Sequence, residues 1–176
     1  MRTTASILVS LSACLAAGAT SCGGPGKFMA VSGHTIALND YSADGNNSVD
    51  GNVTSLGVEG HVMMLGPDIS LGVEQRKYDG ESANEVFLGG RFFLINLPFL
   101  NPYLSARVRY GDGVDLPNSD SYEGYGVGGG TFVRVGDHLF FDVLAQYEGL
   151  FSEPDIGGTS TSLDGVTLTL GVGFAF

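Results

Sequence analysis

The last eleven residues of the chain, 166–176, alternate strictly between two kinds of side chain. One row is apolar and consists of Val166, Leu168, Leu170, Val172, Phe174 and Phe176. The residues between them are small or weakly polar: Thr167, Thr169, Gly171, Gly173 and Ala175. Because successive side chains of a β-strand point to opposite faces, this period of two predicts a strand with two different faces. A strand whose outer face meets lipid can use the terminal Phe as an anchor at the membrane interface.

Seven further segments of about ten residues show the same alternation and are separated by turn-forming residues. They are 28–39, 53–65, 69–78, 85–95, 102–110, 122–135 and 138–149. The first is poorly phased, and Ile36 and Leu38 are its clearest outward-facing candidates. Bacterial outer-membrane barrels have an even number of strands. We therefore predict an all-β fold, an eight-stranded antiparallel up-and-down transmembrane β-barrel over residues 28–176.

The composition agrees with a barrel that crosses a membrane. Glycine is abundant, with 28 residues, and charged residues make up only 15% of the chain. No apolar run reaches the ~18 residues of a transmembrane helix, whereas a membrane barrel needs an apolar residue only at alternate positions. The alternative is a glycine-rich secreted β-sandwich. The net charge of −11 argues against nucleic-acid binding.

Charged residues fall on the inward-facing rows of the predicted strands. They are Glu59, Glu74, Arg76, Glu85, Arg91, Arg107, Arg109, Arg134, Asp142 and Glu148. Burying one unpaired charge costs several kcal/mol, so these residues are expected to pair in a network that fills the lumen. A lipocalin has the inverse polarity, with an apolar cavity and a polar exterior. The alternative is that these rows form the solvated face of an ordinary sheet, but the row of glycines at 124–130 favours a crowded interior with room for arginines.

The connections alternate in length. Those at 66–68, 96–101 and 136–137 are short or compact, and those at 40–52, 79–84, 111–121 and 150–165 are mostly longer and polar. Short turns on one rim and long loops on the other are the outer-membrane pattern, which predicts extracellular loops and two periplasmic termini. Most of the 19 acidic residues lie in or beside the long segments. Four tyrosines near the loop-side strand ends predict an aromatic belt: Tyr78, Tyr110, Tyr122 and Tyr147.

Residues 1–21 have the features of an export signal, with Arg2 ahead of a short apolar stretch. Cleavage after Ala19 is one interpretation. The other is a lipoprotein signal with Cys22 as the lipidated residue, while Cys14 matches the lipoprotein pattern better but leaves an unusually short signal. A third alternative leaves Cys22 without a role. Residues 22–27 are interpreted as a flexible linker, and no cysteine after Cys22 is available for a disulfide or a metal.

The end of the chain resembles the small eight-stranded outer-membrane barrels, the OmpX-like and opacity-type porin superfamily. In that family a polar residue, a glycine two positions later and two terminal aromatic or apolar residues form the assembly signal. Thr169, Gly171, Phe174 and Phe176 match it in order. The resemblance covers residues 28–176 and implies a monomer that contacts outer-membrane lipids, lipopolysaccharide and the barrel assembly machinery. Lipidation at Cys22 would be unusual for this family.

Catalytic and metal-binding chemistry is weakly supported by the sequence. His61 shares an inward face with Glu59, so a His–carboxylate pair is conceivable, but no local His-x-Ser motif accompanies it. Some barrels that this chain resembles in topology are lipid-A-modifying enzymes. Residues 44–50 carry alternate oxygen ligands, as a calcium loop does, yet lack its glycine and its downstream glutamate. We predict no enzymatic activity, no cofactor and no metal.

The predicted function is a non-enzymatic outer-membrane protein with a structural or surface-interaction role and acidic extracellular loops. The alternative is a narrow, cation-preferring, porin-like channel. Eight strands enclose an interior that side chains just fill, and the predicted charge network would obstruct it. A lipid-modifying barrel enzyme is a third, less favoured hypothesis.

Overall fold

The computed structural model describes residues 28–44, 53–63, 67–78, 81–95, 97, 99–113, 121–151, 155–156, 159–160 and 162–176. Its strands are β1 Phe28–Asp44, β2 Thr54–Met63, β3 Pro67–Tyr78, β4 Glu81–Phe93, β5 Leu100–Gly113, β6 Ser121–Val135, β7 Leu139–Leu150, β8 Asp155–Ile156, β9 Thr159–Ser160 and β10 Ser162–Ala175. Within these residues no helix is long enough and apolar enough to cross a membrane. The predicted signal peptide, the linker, Cys22 and most of the calcium-like loop lie outside the described residues.

Eight strands close into a barrel in the order β1-β10-β7-β6-β5-β4-β3-β2, and all neighbours are antiparallel. The predicted fold class is confirmed. The closing strand β10 pairs with both β7 and β1, and Ala175 lies opposite Ala30. Pairing of the first and last strands removes both sheet edges, as a membrane-spanning sheet requires. The strands β8 and β9 form a separate small hairpin.

The two ends of the barrel differ. One, here called the terminal rim, holds the start of β1, the end of β10 and the connections β2–β3, β4–β5 and β6–β7. The other, here called the loop rim, holds the remaining connections. The barrel strands contain 10 to 17 residues, whereas about 9–11 residues suffice to cross a bilayer. The longer strands, β1 among them, therefore exceed the length needed for the crossing.

Burial alternates along the strands, as it does over Thr54–Met63 in β2. The outward residues are exposed and apolar, and the inward residues are buried and largely polar or charged. Leu56, Val58 and Val62 represent the outer wall, and Ser55, Glu59 and His61 the interior. An apolar exterior around a polar interior is the arrangement of a barrel embedded in lipid.

The phase of β1 changes at a bulge. The pairing with β10 shifts register between Ile36 and Leu38, and the inward row Ser32–His34–Ile36 ends there. Ile36 is only 7% exposed, so its predicted outward position is wrong, whereas Leu38 is 66% exposed as expected. An extra residue on one strand reverses the inward and outward parity beyond it. This reversal explains the poor phase of the segment in the sequence.

One predicted long connection is also wrong. Because β3 ends at Tyr78 and β4 starts at Glu81, residues 81–84 belong to a strand rather than to a loop. Lys77 pairs with Ser82 and Arg76 with Ala83, and the alternation continues because Ala83 is buried. The connection between β3 and β4 is therefore two residues long.

Candidate functional site

The barrel interior is the most chemically distinctive part of the described structure. It buries four arginines and six carboxylates, none more than 8% exposed: Arg76, Arg91, Arg107, Arg109, Glu59, Asp68, Glu74, Glu85, Asp142 and Glu148. They divide into two groups centred on different arginines. We call the group nearer the loop rim the Arg76 cluster and the group nearer the terminal rim the Arg91 cluster.

The Arg76 cluster joins four strands. Arg76 Nη1 lies 2.7 Å from Glu148 Oε2, and Arg109 Nη1 lies 2.8 Å from the same oxygen. Arg76 Nε lies 3.2 Å from Glu74 Oε1 and 3.2 Å from Glu85 Oε2. Each carboxylate of this cluster is thus paired with a guanidinium, as buried charges require.

Two tyrosines complete the Arg76 cluster. The Tyr41 hydroxyl donates to Glu148 at 2.6 Å, and the Tyr122 hydroxyl donates to Glu85. The predicted place of Tyr122 in an outer aromatic belt is wrong, because its side chain is 5% exposed and faces inward with Gly124. Of the other predicted belt residues, Tyr110 and Tyr147 are exposed on the outer wall, and the Tyr78 side chain lies outside the described part.

The Arg91 cluster lies deeper towards the terminal rim. Arg91 Nη2 lies 2.9 Å from Glu59 Oε2 and 3.2 Å from Asp142 Oδ2. Arg91 Nη1 lies 3.3 Å from Asp68 Oδ2 and 2.8 Å from His61 Nδ1. One guanidinium therefore holds three carboxylates and an imidazole, so that the charges on β2, β3, β4 and β7 share one centre.

Arg107 lies between the two clusters. Its guanidinium stacks on the Phe87 ring at 4.3 Å, and its charge acts on Glu59 of one cluster and Glu74 of the other. The Phe87 ring also meets His34 edge-on at 5.6 Å, and His34 Nε2 lies 3.5 Å from Glu74 Oε2. The middle of the lumen is thus filled by a cation–π stack rather than by open space.

An apolar cluster closes the terminal side of the Arg91 cluster. We call it the aromatic plug, and it consists of Ala30, Met63, Tyr103, Phe132, Phe140 and Leu144. Phe132 is its centre, with ring centroids 5.2 Å from Tyr103 and 4.9 Å from Phe140. Arg91 lies over the Phe132 ring at 5.0 Å, so the plug packs directly against the charges. Outside it, a depression of about 230 Å³ opens at the terminal rim.

Arg134 is the predicted lumen residue that the structure places elsewhere. Its inward parity is as expected, but it is exposed and lies at the terminal rim beside the depression, with Asp137 and His138. The reason is its position along β6, because Phe132 already packs in the plug and Arg134 lies beyond it. Asp68 was missed, although the inward row Ser70, Gly72, Glu74 extends back to it in the sequence.

Glycines make room for the large interior side chains. Arg109 lies directly opposite Gly124 and Arg107 opposite Gly126, and a Cβ on Gly124 would lie 2.6 Å from Arg109 Nε. The expected function of the glycine row is thereby confirmed for these two pairs. Aromatic rings in the interior likewise lie against glycines on the neighbouring strand. The cross-strand pairs Gly72–Phe87, Gly111–Tyr122 and Gly173–Phe140 each place ring Cζ 2.2 Å from where a Cβ would be.

Ser32, His61 and Asp68 have the spacing of a nucleophilic relay, with Oγ–Nε2 and Nδ1–Oδ2 distances of 2.8 and 3.1 Å. Each is at most 2% exposed, behind the aromatic plug. Arg91 Nη1 also lies 2.8 Å from His61 Nδ1, so a guanidinium and a carboxylate both contact that ring nitrogen. The trio is therefore enclosed in the barrel interior and joined to the Arg91 cluster.

No metal site is evident in the described residues, where no group of three or more His, Cys, Asp or Glu is placed to hold an ion. The structure does place the predicted His61–Glu59 contact, at 3.8 Å between Nε2 and Oε2. Asp68 is closer to the same ring, at 3.1 Å. His61 is therefore held from two sides by carboxylates as well as by Arg91.

Three residues of the predicted assembly signal, Thr169, Gly171 and Phe174, lie in β10, and Phe176 directly follows it. Thr169 is buried in the lumen, and Phe174 and Phe176 are exposed near the terminal rim, with Gly171 between them and Thr169. The Phe174 ring stacks on His138 at 5.2 Å, and the Phe176 amide donates to the Met29 carbonyl at 2.8 Å. The segment thus fixes the seam between the last and first strands.

The polar, filled lumen and the apolar outer wall define a transmembrane β-barrel of the outer-membrane type. No protein-family model and no curated protein matches the chain. Solved structures do. The chain is similar to Neisserial surface protein A, with 17% identity, a TM-score of 0.63, and coverage of 85% of this chain and 97% of that one.

Two structures from Pseudomonas aeruginosa are also similar. The N-terminal β-barrel domain of OprF has 16% identity and a TM-score of 0.59, with 86% of this chain and 99% of that one covered. The outer membrane protein OprG has 16% identity and a TM-score of 0.52, with 86% and 96% covered. At these identities the likeness establishes the fold, and the expected resemblance to small eight-stranded outer-membrane barrels is confirmed at that level.

Proposed function

We propose that this outer-membrane barrel is non-enzymatic and non-conducting, with a structural or surface-interaction role carried by its loop rim. The observation that supports this proposal is the obstruction of the lumen at successive levels. The Arg76 cluster, the Arg107–Phe87 stack, the Arg91 cluster and the aromatic plug follow one another along the barrel axis. A pore would require all four to move.

The second candidate function is a narrow, cation-preferring channel. One observation favours it: among the described residues the lumen buries six carboxylates but four arginines. The interior described here therefore carries an excess of two negative charges when His34 and His61 are neutral. Such an excess would favour cations if water filled the lumen.

Planar-bilayer recordings of the refolded protein separate the two functions. The non-conducting barrel shows no stable conductance step. A cation-selective conductance that Arg107→Ser alters would overturn the proposal, because Arg107 lies at the centre of the lumen. Lys77→Ser is the matched control, since Lys77 is a cation exposed on the outer side of β3 and its loss leaves a lumen current unchanged.

The proposed orientation places the loop rim outside the cell and both termini in the periplasm. It is supported by the position of the start of β1, the end of β10 and the β6–β7 turn at one rim, since barrels of this type keep their short turns on the periplasmic side. The two-residue β3–β4 connection is the exception at the loop rim. In intact cells, a membrane-impermeant maleimide should label Asp155→Cys on β8. It should label Asp137→Cys in the β6–β7 turn only after permeabilisation. The reverse order would contradict the orientation.

The proposed partners follow from this location: outer-membrane lipids and lipopolysaccharide around the wall, and the barrel assembly machinery during insertion. The protein is proposed to act as a monomer. Residues 1–21 are proposed as the export signal, with Cys22 either lipidated or left unmodified after cleavage following Ala19. Labelling with a fatty-acid analogue distinguishes these routes, because lipidated wild type incorporates it and Cys22→Ser does not.

A further inference from the structure

The depression at the terminal rim, about 230 Å³ in volume, lies directly outside the aromatic plug. Three residues of the plug line it, Met63, Phe132 and Phe140, and they give it an apolar inner surface. The β6–β7 turn borders it as well, and a Cβ on Gly136 of that turn would have no heavy atom of the described structure within 4 Å. The turn and the plug therefore leave room between them for an occupant.

The charged residues that line the depression balance each other. Arg134 and Asp137 both border it, and both are exposed at the rim. When His138 is counted as neutral, the described lining has no net charge. An uncharged occupant with small side chains therefore suits this depression better than an ion or a charged peptide does.

The chain enters the barrel at the edge of this depression. The strand β1 begins at Phe28, which pairs with Met63, and the Phe176 amide donates to the Met29 carbonyl at 2.8 Å. Met63 and Phe176 both line the depression. Lys27 therefore joins β1 between two residues of the lining, one on β2 and one directly after β10.

The sequence just before Phe28 suits such a depression. Residues 23–26 are Gly-Gly-Pro-Gly, which carry no charge and a single apolar ring, that of Pro25. Glycine allows a backbone to approach a surface closely, because it has no Cβ. Residues 23–27 span roughly 17 Å when extended. The turn before β7 lies two strand spacings from β1, roughly 10 Å, so this segment can reach it.

We propose that residues 23–27 lie across the depression as a strap, with Pro25 against the rings of the aromatic plug. The strap covers the plug from the terminal rim and buries apolar surface of the lining. Both proposed processing routes leave residues 23–27 on the mature chain. Attachment through a short linker gives an effective concentration in the millimolar range, which favours the chain's own segment over that of a second copy.

Disulfide crosslinking of the refolded chain, residues 20–176 with Cys22→Ser, tests the strap. Pro25→Cys is combined either with Asp137→Cys beside the depression or with Pro67→Cys at the start of β3. Pro67 is exposed at the same rim, and β3 and β7 each lie two strands from β1, on opposite sides of it. Under a mild oxidant, the pair with Asp137→Cys should form its intrachain disulfide at least fivefold faster than the pair with Pro67→Cys, as followed by mass spectrometry.

A second set of variants tests the fit of the strap. Gly24→Val and Gly26→Val together add branched side chains to the segment and should bring the two crosslinking rates within twofold of each other. Each variant is first checked for the heat-modifiable gel shift of a folded barrel. Arg134→Cys, at another exposed residue of the lining, replaces Asp137→Cys if that variant lacks the shift.

Three results would overturn the strap. They are equal crosslinking rates for the two pairs in the parent chain, a fivefold preference that Gly24→Val and Gly26→Val leave unchanged, and an intermolecular disulfide in place of the intrachain one. The last would assign the depression to the segment of a second copy. Because the crosslink is measured outside the aromatic plug in refolded protein, none of these results depends on whether the lumen conducts or on which rim faces the periplasm.

Discussion

Arg76 and Glu148 form a bidentate ion pair across the lumen, with Nη1–Oε2 and Nη2–Oε1 distances of 2.7 and 3.1 Å. They belong to β3 and β7, which have three strands between them on either side of the ring. The pair therefore connects opposite walls of the barrel. Bidentate Arg–carboxylate pairs fix geometry as well as supplying energy, so this contact determines which walls approach each other.

Replacing Arg76 should destabilise the barrel strongly. Arg76→Met leaves Glu74, Glu85 and Glu148 buried without the guanidinium that they share, and breaking a buried ion pair costs about 3–5 kcal/mol. The free energy of unfolding is measured by urea titration in lipid vesicles, with circular dichroism as the signal because the chain has no tryptophan. Lys77→Met, an exposed change on the same strand, should cost much less. Equal losses of unfolding free energy in Arg76→Met and Lys77→Met would show that the Arg76 cluster does not account for the effect.

Adding one methyl group inside the barrel should also be costly. In Gly72→Ala the new Cβ would lie 2.2 Å from Phe87 Cζ, which displaces the ring from Arg107 and His34. We expect a loss of about 1–3 kcal/mol in unfolding free energy, typical of overpacking. Gly90→Ala is the matched control on the outer wall, and it should stay within about 0.5 kcal/mol of wild type. A loss in Gly90→Ala as large as in Gly72→Ala would contradict this explanation.

The aromatic plug should contribute to stability without being the only barrier to ions. Phe132→Ala removes the ring that contacts Tyr103, Phe140 and Arg91, and should cost about 3–5 kcal/mol. Phe132→Leu keeps most of the side-chain volume and should lower the unfolding free energy by less than Phe132→Ala does. Neither variant should conduct in a planar bilayer, because the Arg76 cluster remains closed. A stable current through Phe132→Ala would show that the plug alone seals the lumen.

Much of the fold could be predicted because lipid and lumen impose opposite chemistry on alternate residues. That contrast predicts correctly which residues of β2, β7 and β10 face the lumen and which face outward. It also predicts that residues such as Glu59 and Arg91 lie inside. Alternation in the sequence does not predict where a β-bulge occurs. The reversal in β1 depends on how it pairs with β10, a contact between the two ends of the sequence.

The pairings within the lumen could not be predicted from alternation. Alternation shows that Arg91 and Asp142 both face inward, but their contact depends on the stagger of β4 against β7 around the ring. Tyr122 was misassigned because aromatic residues suit both a membrane interface and a buried polar network in which the hydroxyl finds an acceptor. Arg134 shows a second limit of this reasoning. Alternation predicts whether a side chain faces the lumen, but it does not predict how far along the barrel axis the residue lies.

The terminal Phe176 should matter more for insertion than for stability. Its side chain is 63% exposed, so its burial contributes below about 1 kcal/mol. Its amide, by contrast, donates to Met29 and helps to close the seam. Phe176→Ala keeps that hydrogen bond and should change the unfolding free energy of refolded protein little, yet lower its level in outer-membrane fractions several-fold. Deletion of Phe176 removes both contributions and should lower that level further.

The matched control for this experiment is Phe99→Ala. Phe99 is 64% exposed and lies in the β4–β5 connection at the same rim, so it has nearly the same burial outside the predicted assembly signal. Its removal should leave the membrane level close to that of wild type. Folded protein is quantified in each fraction by its heat-modifiable gel shift. Wild-type membrane levels of the Phe176 deletion, or an equal loss in Phe99→Ala, would count against an assembly role for the last residue, because burial alone would then account for both variants.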